Sequence, residues 1–452
     1  MFEHVRWHFQ IFHYSAQQYR VHRIKESHMQ IELVKSLALS MIVGLSFSAL
    51  AKDSAITKVI YGNDNRQDVK DSSLTDFKRL ALSTAVQIKQ KYFTTLTNGN
   101  LQLSSTDTLQ SEINACADEP FAKQLAVGNC SGFLVSADLL VTAGHCVTSQ
   151  DDCDDAVWAF DYAEGKINNL QLAKKNVYAC KKILTQALDD QTMNDYAVIQ
   201  LDRPVTDRAP LNFRLAGSVE AGESIVVVGH PSGLPTKISG GATVQQTNHP
   251  SYFKADLDTY GGNSGSAVFN QKTGEVEGIL VRGAKDYVYD IGRGCAVSNR
   301  CDKMDSENRT CEGESVSRIS APDIVALELK DLVEKVPSLA AGLADVTFAD
   351  TQGQTLLIAA ARYGKYPVVR ALLQNPKVVL NKKNSQGDTA LHAAIKANDY
   401  YTTKLLLEKG ADFTIKGQEK LKAKKLSKKL NRDERFKQLM VKYDKWYLPG
   451  KN

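Results

Sequence analysis

Cysteine is missing from the first 115 and the last 141 residues of this 452-residue chain. All eight cysteines lie between Cys116 and Cys311, which confines any disulfide framework to the middle of the sequence. A charge excess of one sign is also lacking. Lys and Arg number 56 against 51 Asp and Glu, a balance of +5 that does not call for nucleic acid as a partner. No glycine-rich phosphate loop precedes a helix and no Cys-Cys/His-His zinc spacing occurs, so no cofactor and no metal are expected. The uncharged run Ser36–Ala51 is too short to span a membrane.

What is present is enough for more than one core: 43% of positions are hydrophobic and 24% charged, and the length suggests two or three domains. Met29 opens a signal-peptide pattern, with Lys35 as the positive region, an apolar stretch, and Ala49-Leu50-Ala51 as the cleavage motif. Residues 1–28 are therefore expected to be an upstream extension foreign to the protein, 29–51 a signal peptide and the mature chain exported, periplasmic or secreted, without a transmembrane span.

The texture then changes twice. Short β-rich runs separated by Gly, Asn and Asp extend to about Arg318: Gly132–Val135, Leu139–Val141, Tyr196–Leu201, Ser224–Val228, Ser266–Phe269 and Val276–Val281. That spacing predicts an all-β sandwich or barrel. Ser320–Val333 reads as a helix, within a helical linker over 320–343 that follows a domain over 59–319.

Beyond it an internal repeat with an offset of 34 matches Gly353 to Gly387, Thr355 to Thr389, Ala359-Ala360 to Ala393-Ala394, and Leu372-Leu373 to Leu406-Leu407. The segment resembles ankyrin repeats: Thr389-Ala390-Leu391-His392-Ala393-Ala394 is close to that family's T-P-L-H-x-A signature. The resemblance implies a stacked helical array over 344–450 with a surface for a protein partner. Its end is basic, thirteen Lys/Arg against four Asp/Glu from Lys416 onward. Those charges suit anionic lipid, wall polymer or nucleic acid, but Leu421, Leu426, Leu430, Phe436, Leu439, Met440 and Tyr443 keep helical spacing, which favours the solvated face of a degenerate cap.

Three separated motifs carry chemistry. Leu140-Val141-Thr142-Ala143-Gly144-His145-Cys146 comes first, then Asn194-Asp195-Tyr196-Ala197-Val198-Ile199, then Gly261-Gly262-Asn263-Ser264-Gly265-Ser266. Singly, each has a bland alternative: a core histidine, a capping aspartate, a glycine turn. Together, in the order His, Asp, Ser and each in apolar strand context, they resemble the chymotrypsin-fold (trypsin-like) serine proteases, and in particular the bacterial glutamyl endopeptidase branch. The resemblance implies two β-barrels over 59–319 with the cleft between them. It assigns Ser264 as nucleophile, His145 as base, Asp195 as its orienting acid, and the N–H groups of Gly262 and Ser264 as the oxyanion hole.

The same resemblance implies a disulfide between Cys130 and Cys146 around the base histidine. For the other six cysteines, with 15 pairings open, we expect Cys153–Cys180, Cys301–Cys311 and Cys116–Cys295; a zinc site is the competing reading. Val59-Ile60-Tyr61-Gly62 looks like the branch's mature start, which makes 52–58 a short propeptide. In the specificity pocket Thr259 matches the branch, Leu280 stands where its histidine is expected, Arg282 offers a positive charge, and Asp258 occupies the position that selects Lys or Arg in trypsin. Acidic, basic and neutral preferences all stay open. The expected function is an exported serine endopeptidase acting on protein or peptide substrates, with the repeats recruiting a partner. The alternative is a catalytically silent barrel scaffolding a binding array.

Overall fold

Strands rich in Val, Ile and Ala, several of them buried along their full length, wind into two barrels in the computed structural model, which describes residues 59–447 except 168, 306 and 309. The signal-peptide and propeptide segments proposed from sequence lie outside the described residues. The first barrel comprises β1 (Thr84–Lys89), β2 (Cys130–Leu134), β3 (Leu139–Thr142), β4 (Ala156–Phe160), β5 (Val177–Leu188) and β6 (Asp195–Leu201). It closes in the order β5-β6-β3-β2-β1-β4, with β4 returning to β5. The second holds β7 (Ser224–Gly229), β8 (Lys237–Gln246), β9 (Tyr252–Ala255), β10 (Ala267–Asn270), β11 (Val276–Arg282) and β12 (Glu314–Arg318). Its order is β7-β10-β11-β12-β9-β8, and the β7–β8 pairing closes the ring. Closure leaves no free sheet edge within either ring.

The strands at the heart of each barrel are apolar on both faces because side chains fill the interior while neighbouring elements cover the outside. Phe133, Val141, Trp158 and Ile199 of the first barrel belong to one buried cluster with Val226, Phe269 and Ile279 of the second. Four disulfides, Cys116–Cys295, Cys130–Cys146, Cys153–Cys180 and Cys301–Cys311, use all eight cysteines in the pairs expected from sequence.

After β12 the chain becomes helical. The first of these helices, α1 (Ile324–Lys335), joins the two halves of the molecule: Ile324 lies in the barrel core, Leu332 in that of the helical region. Antiparallel pairs follow: α2 (Leu356–Arg362) with α3 (Tyr366–Leu372), α4 (Ala390–Lys396) with α5 (Tyr400–Glu408), and α6 (Ala423–Lys429) with α7 (Glu434–Tyr447). Each repeat begins alike. Thr355 caps α2 by accepting the Ile358 N–H at 3.2 Å, and Thr389 opens α4 with its hydroxyl 2.9 Å from His392 Nδ1. The Ala359-Ala360 and Ala393-Ala394 pairs are buried, small enough to let successive helices approach closely. His392 Nε2 reaches the Leu421 carbonyl at 3.2 Å and so ties one repeat to the next.

The stack docks on the barrels through polar contacts. Arg370 Nη1 donates to the Phe213 carbonyl at 2.8 Å and pairs with Glu275. The Tyr366 hydroxyl donates to Asn212 Oδ1 at 3.1 Å, Arg435 to the Thr206 carbonyl at 3.1 Å, and Ser136 to the Gly364 carbonyl at 3.3 Å.

Candidate active site

Strand register brings the first two groups together. Ala197 on β6 lies opposite Thr142 on β3, so Asp195, which opens β6, reaches the tight Gly144–Cys146 turn that follows β3. Asp195 is buried, and both its oxygens face the same histidine. Oδ2 lies 2.9 Å from His145 Nδ1, and Oδ1 accepts the His145 backbone N–H at 3.1 Å. Burial alone works against ionising Asp195, but the bonds from His145, with Arg282 nearby, outweigh it and hold the carboxyl below the usual range. An ionised acceptor at Nδ1 puts the ring proton there, which leaves Nε2 with its lone pair.

Ser264 lies in the loop between β9 and β10. Gly262 and Gly265 beside it have φ of +84° and +88°, and a Cβ on Gly265 would stand 2.0 Å from the Ser131 carbonyl oxygen, so only glycine fits. The Ser264 carbonyl accepts the Ser131 N–H of β2 at 2.7 Å, while the Gly265 N–H donates to the Leu280 carbonyl of β11 at 2.7 Å. One residue thus touches each barrel, and Ser264 sits at their junction. Its hydroxyl and His145 Nε2 are both buried without a hydrogen-bond partner. Among the described residues, neither the Gly262 nor the Ser264 N–H donates to a protein acceptor. A cleft of ≈ 430 Å³ opens beside Gly261 and Gly262, walled by Tyr92, Asn129, Ser232 and Tyr287.

The four residues singled out for the specificity pocket each bond to a different part of the protein. Asp258 is turned away: Oδ1 accepts the Tyr61 N–H at 2.8 Å, and Oδ2 accepts from Asn65 N at 2.9 Å and Asn65 Nδ2 at 3.0 Å. Burial pushes its carboxyl up to about 6 despite those donors. Arg282 donates to the Met193 carbonyl at 3.0 Å and lies 4.0 Å from Asp195 Oδ2, while Asp258 bonds to Tyr61 and Asn65, so the two charges do not pair with each other. Leu280 is fully buried and joined by main-chain bonds to Gly265 and Ser266. Thr259 donates from Oγ1 to Glu314 Oε2 at 2.7 Å. No sequence motif marks Glu314, which lies fifty positions beyond Ser264 at the start of an ordinary strand.

Only one cluster among the described residues, Cys130, His145 and Cys146, has metal-ligand spacing, and its two sulfurs are bonded to each other. A disulfide offers no thiolate, so the zinc reading of these cysteines fails here. His230 is structural in its surroundings: fully buried, with Nδ1 3.1 Å from the Leu234 carbonyl, and depressed by burial to about 3.

Residues 130–279 match the trypsin-like peptidase domain, and residues 324–417 match ankyrin repeats. The chain is 25% identical over 154 residues to the glutamyl endopeptidase of Bacillus licheniformis, an alignment covering 33% of this chain and 47% of that protein. Alpha-latrocrustotoxin-Lt1a of Latrodectus tredecimguttatus is 38% identical over 71 residues, 16% of this chain and 5% of the toxin. The chain thus spans about half the length, or far less, of the curated relatives it matches. Among solved structures, a Glu endopeptidase in complex with MPD aligns at 13% identity and a TM-score of 0.35, covering 60% of this chain and 99% of that one. By its paired six-stranded barrels and these two domain matches, the chain joins a chymotrypsin-fold, trypsin-like peptidase domain to C-terminal ankyrin repeats.

Proposed function

We propose that the chain is an exported serine endopeptidase in which Ser264, His145 and Asp195 form the catalytic triad and the ankyrin repeats recruit a protein substrate or partner. Ser264 Oγ attacks the scissile carbonyl carbon as its proton passes to His145 Nε2. Asp195 holds the Nδ1 proton and stabilises the imidazolium, and the N–H groups of Gly262 and Ser264 donate to the carbonyl oxygen as it becomes negative. Collapse expels the amine with the proton from Nε2, and water repeats the cycle to release the acyl group. No cofactor enters any step.

The observation that carries this reading is the two-point hold of Asp195 on His145, whose Nε2, like the buried hydroxyl of Ser264, is left without a hydrogen-bond partner. Export is supported by the Met29–Ala51 leader pattern and by eight cysteines paired in four disulfides, the state of an oxidising compartment. Among the described residues, no helix is long and apolar enough to cross a membrane. The repeats touch the barrels at Ser136, Thr206, Asn212, Phe213 and Glu275, none of them a triad residue, which supports recruitment away from the catalytic groups. Processing after Lys58 to expose Val59 belongs to the same proposal, and the mass of the secreted chain tests it.

The decisive experiment is labelling of the full chain by a fluorophosphonate beside Ser264→Ala. Labelling that disappears in the variant supports the peptidase reading; a folded, disulfide-intact chain that does not label overturns it in favour of a binding scaffold.

A further inference from the structure

We infer that Arg282 is a positioning residue for the triad: from the second barrel it holds the turn that delivers Asp195 and gives that carboxylate a permanent counter-charge. The inference rests on the peptidase reading above and deepens it by one side chain. Arg282 ends strand β11. Two residues earlier on that strand, the Leu280 carbonyl accepts the Gly265 N–H at 2.7 Å and the Leu280 N–H donates to the Ser266 carbonyl at 3.0 Å, so the nucleophile's loop is fixed to β11. At its end the same strand reaches the other barrel, where Arg282 Nη2 donates to the Met193 carbonyl at 3.0 Å.

Met193 lies in the turn between β5 and β6, two residues before Asp195. Its φ is +59°, a left-handed backbone that residues with a side chain rarely adopt, so the turn needs contacts that keep it there. Some are internal: Asp189 Oδ1 accepts the Gln191 N–H at 2.9 Å and the Asp189 N–H donates to the Asn194 carbonyl at 3.0 Å. Arg282 adds the tie to the barrel that carries Ser264. One strand, β11, thus sets both the nucleophile, through Leu280, and the acid, through Arg282.

The guanidinium also lies 4.0 Å from Asp195 Oδ2, the oxygen that faces His145 Nδ1. Asp195 is only 3% exposed, and a carboxylate so placed is costly without a counter-charge. Among the described residues its ion-pair partners are His145 and Arg282. Before attack the imidazole is neutral, as a base must be, so Arg282 then supplies the positive charge of the pair; after proton transfer the imidazolium adds its own. A guanidinium suits this place because it stays charged throughout the cycle.

The test compares the full chain with Arg282→Gln and Arg282→Lys in three readouts: the rate of fluorophosphonate labelling, kcat and KM on a peptide that library mapping shows wild type to cleave, and the low-field proton resonance of the His145 Nδ1–Asp195 bond. Arg282→Gln should lower kcat and the labelling rate roughly tenfold with KM nearly unchanged, since the loss falls on the transition state. Its low-field resonance should broaden. Arg282→Lys, which keeps the charge, should recover most of both. A folded Gln variant with wild-type kcat, one whose KM rises while kcat holds, or a Lys variant as slow as Gln overturns the inference and leaves the peptidase reading standing. If Arg282→Gln does not fold, wild type decides: its Arg282 guanidinium N–H resonances should shift as acid charges His145, and resonances that stay in place overturn the inference. A wild-type chain that does not label overturns the peptidase reading and this inference with it.

Discussion

The Asp258 carboxylate accepts the backbone N–H of Tyr61 at 2.8 Å across 197 residues of sequence, fastening the short strand Ile60–Tyr61 to the loop that leads into Ser264. Asn65 adds two more donors to the same carboxylate. Asp258→Ala leaves these buried or half-buried donors without an acceptor and should destabilise the fold by about 2–4 kcal/mol in urea unfolding. Amide hydrogen exchange at Tyr61 and Asn65 should quicken in parallel. A change below about 0.5 kcal/mol, the size expected of an ordinary surface site, would show that the carboxylate is dispensable as an anchor.

His230 gives the stability a pH dependence of known sign. The unfolded histidine takes up a proton near 6.5, whereas burial holds the folded one back to about 3. The unfolded state therefore binds more protons between those values, so this residue's contribution is complete above pH 6.5 and is lost as pH falls. Relative to His230→Gln, wild type should lose about 3 kcal/mol more between pH 6.5 and pH 4. Parallel stability curves for the two proteins would refute the assignment.

Arg370 joins the repeats to the barrels by a bond to the Phe213 carbonyl, an ion pair with Glu275, and a guanidinium 5.7 Å from the Phe213 ring centroid. Arg370→Ala leaves the Phe213 carbonyl and a half-buried carboxylate without their partner, a loss of about 2–3 kcal/mol. Calorimetry should then resolve two thermal transitions where wild type gives one. A single transition in the variant would mean that the α1 helix alone couples the two halves.

Parts of this structure were legible because their signals are local. Thr355 and Thr389, 34 residues apart, begin equivalent helices, and the alanine pairs behind them are buried against each other as the repeat requires. His145 and Asp195 each sit in a short apolar context that gains its meaning from the order of the three motifs, and the structure brings their side chains to 2.9 Å. The pocket was not legible in that way. Asp258 occupies a suggestive position in the chain, but its orientation is decided by backbone amides near the N-terminus, which no motif around Ser264 records. Glu314 meets Thr259 across 55 residues, through the pairing of β12 with β11 and β9, and has no pattern of its own. Position in sequence locates a charge along the strand; the register of the neighbouring strands decides which way it faces.

The α1 helix, sunk at one end in the barrel core and at the other in the helical core, makes the distance from the repeats to Ser264 a property of packing rather than of a tether. A protein captured on the repeats would be offered to the nucleophile over a fixed span, and its local concentration there would depend on the length and stiffness of its own chain. The molecule would then act as a ruler, cutting a captured partner where its slack first reaches the cleft.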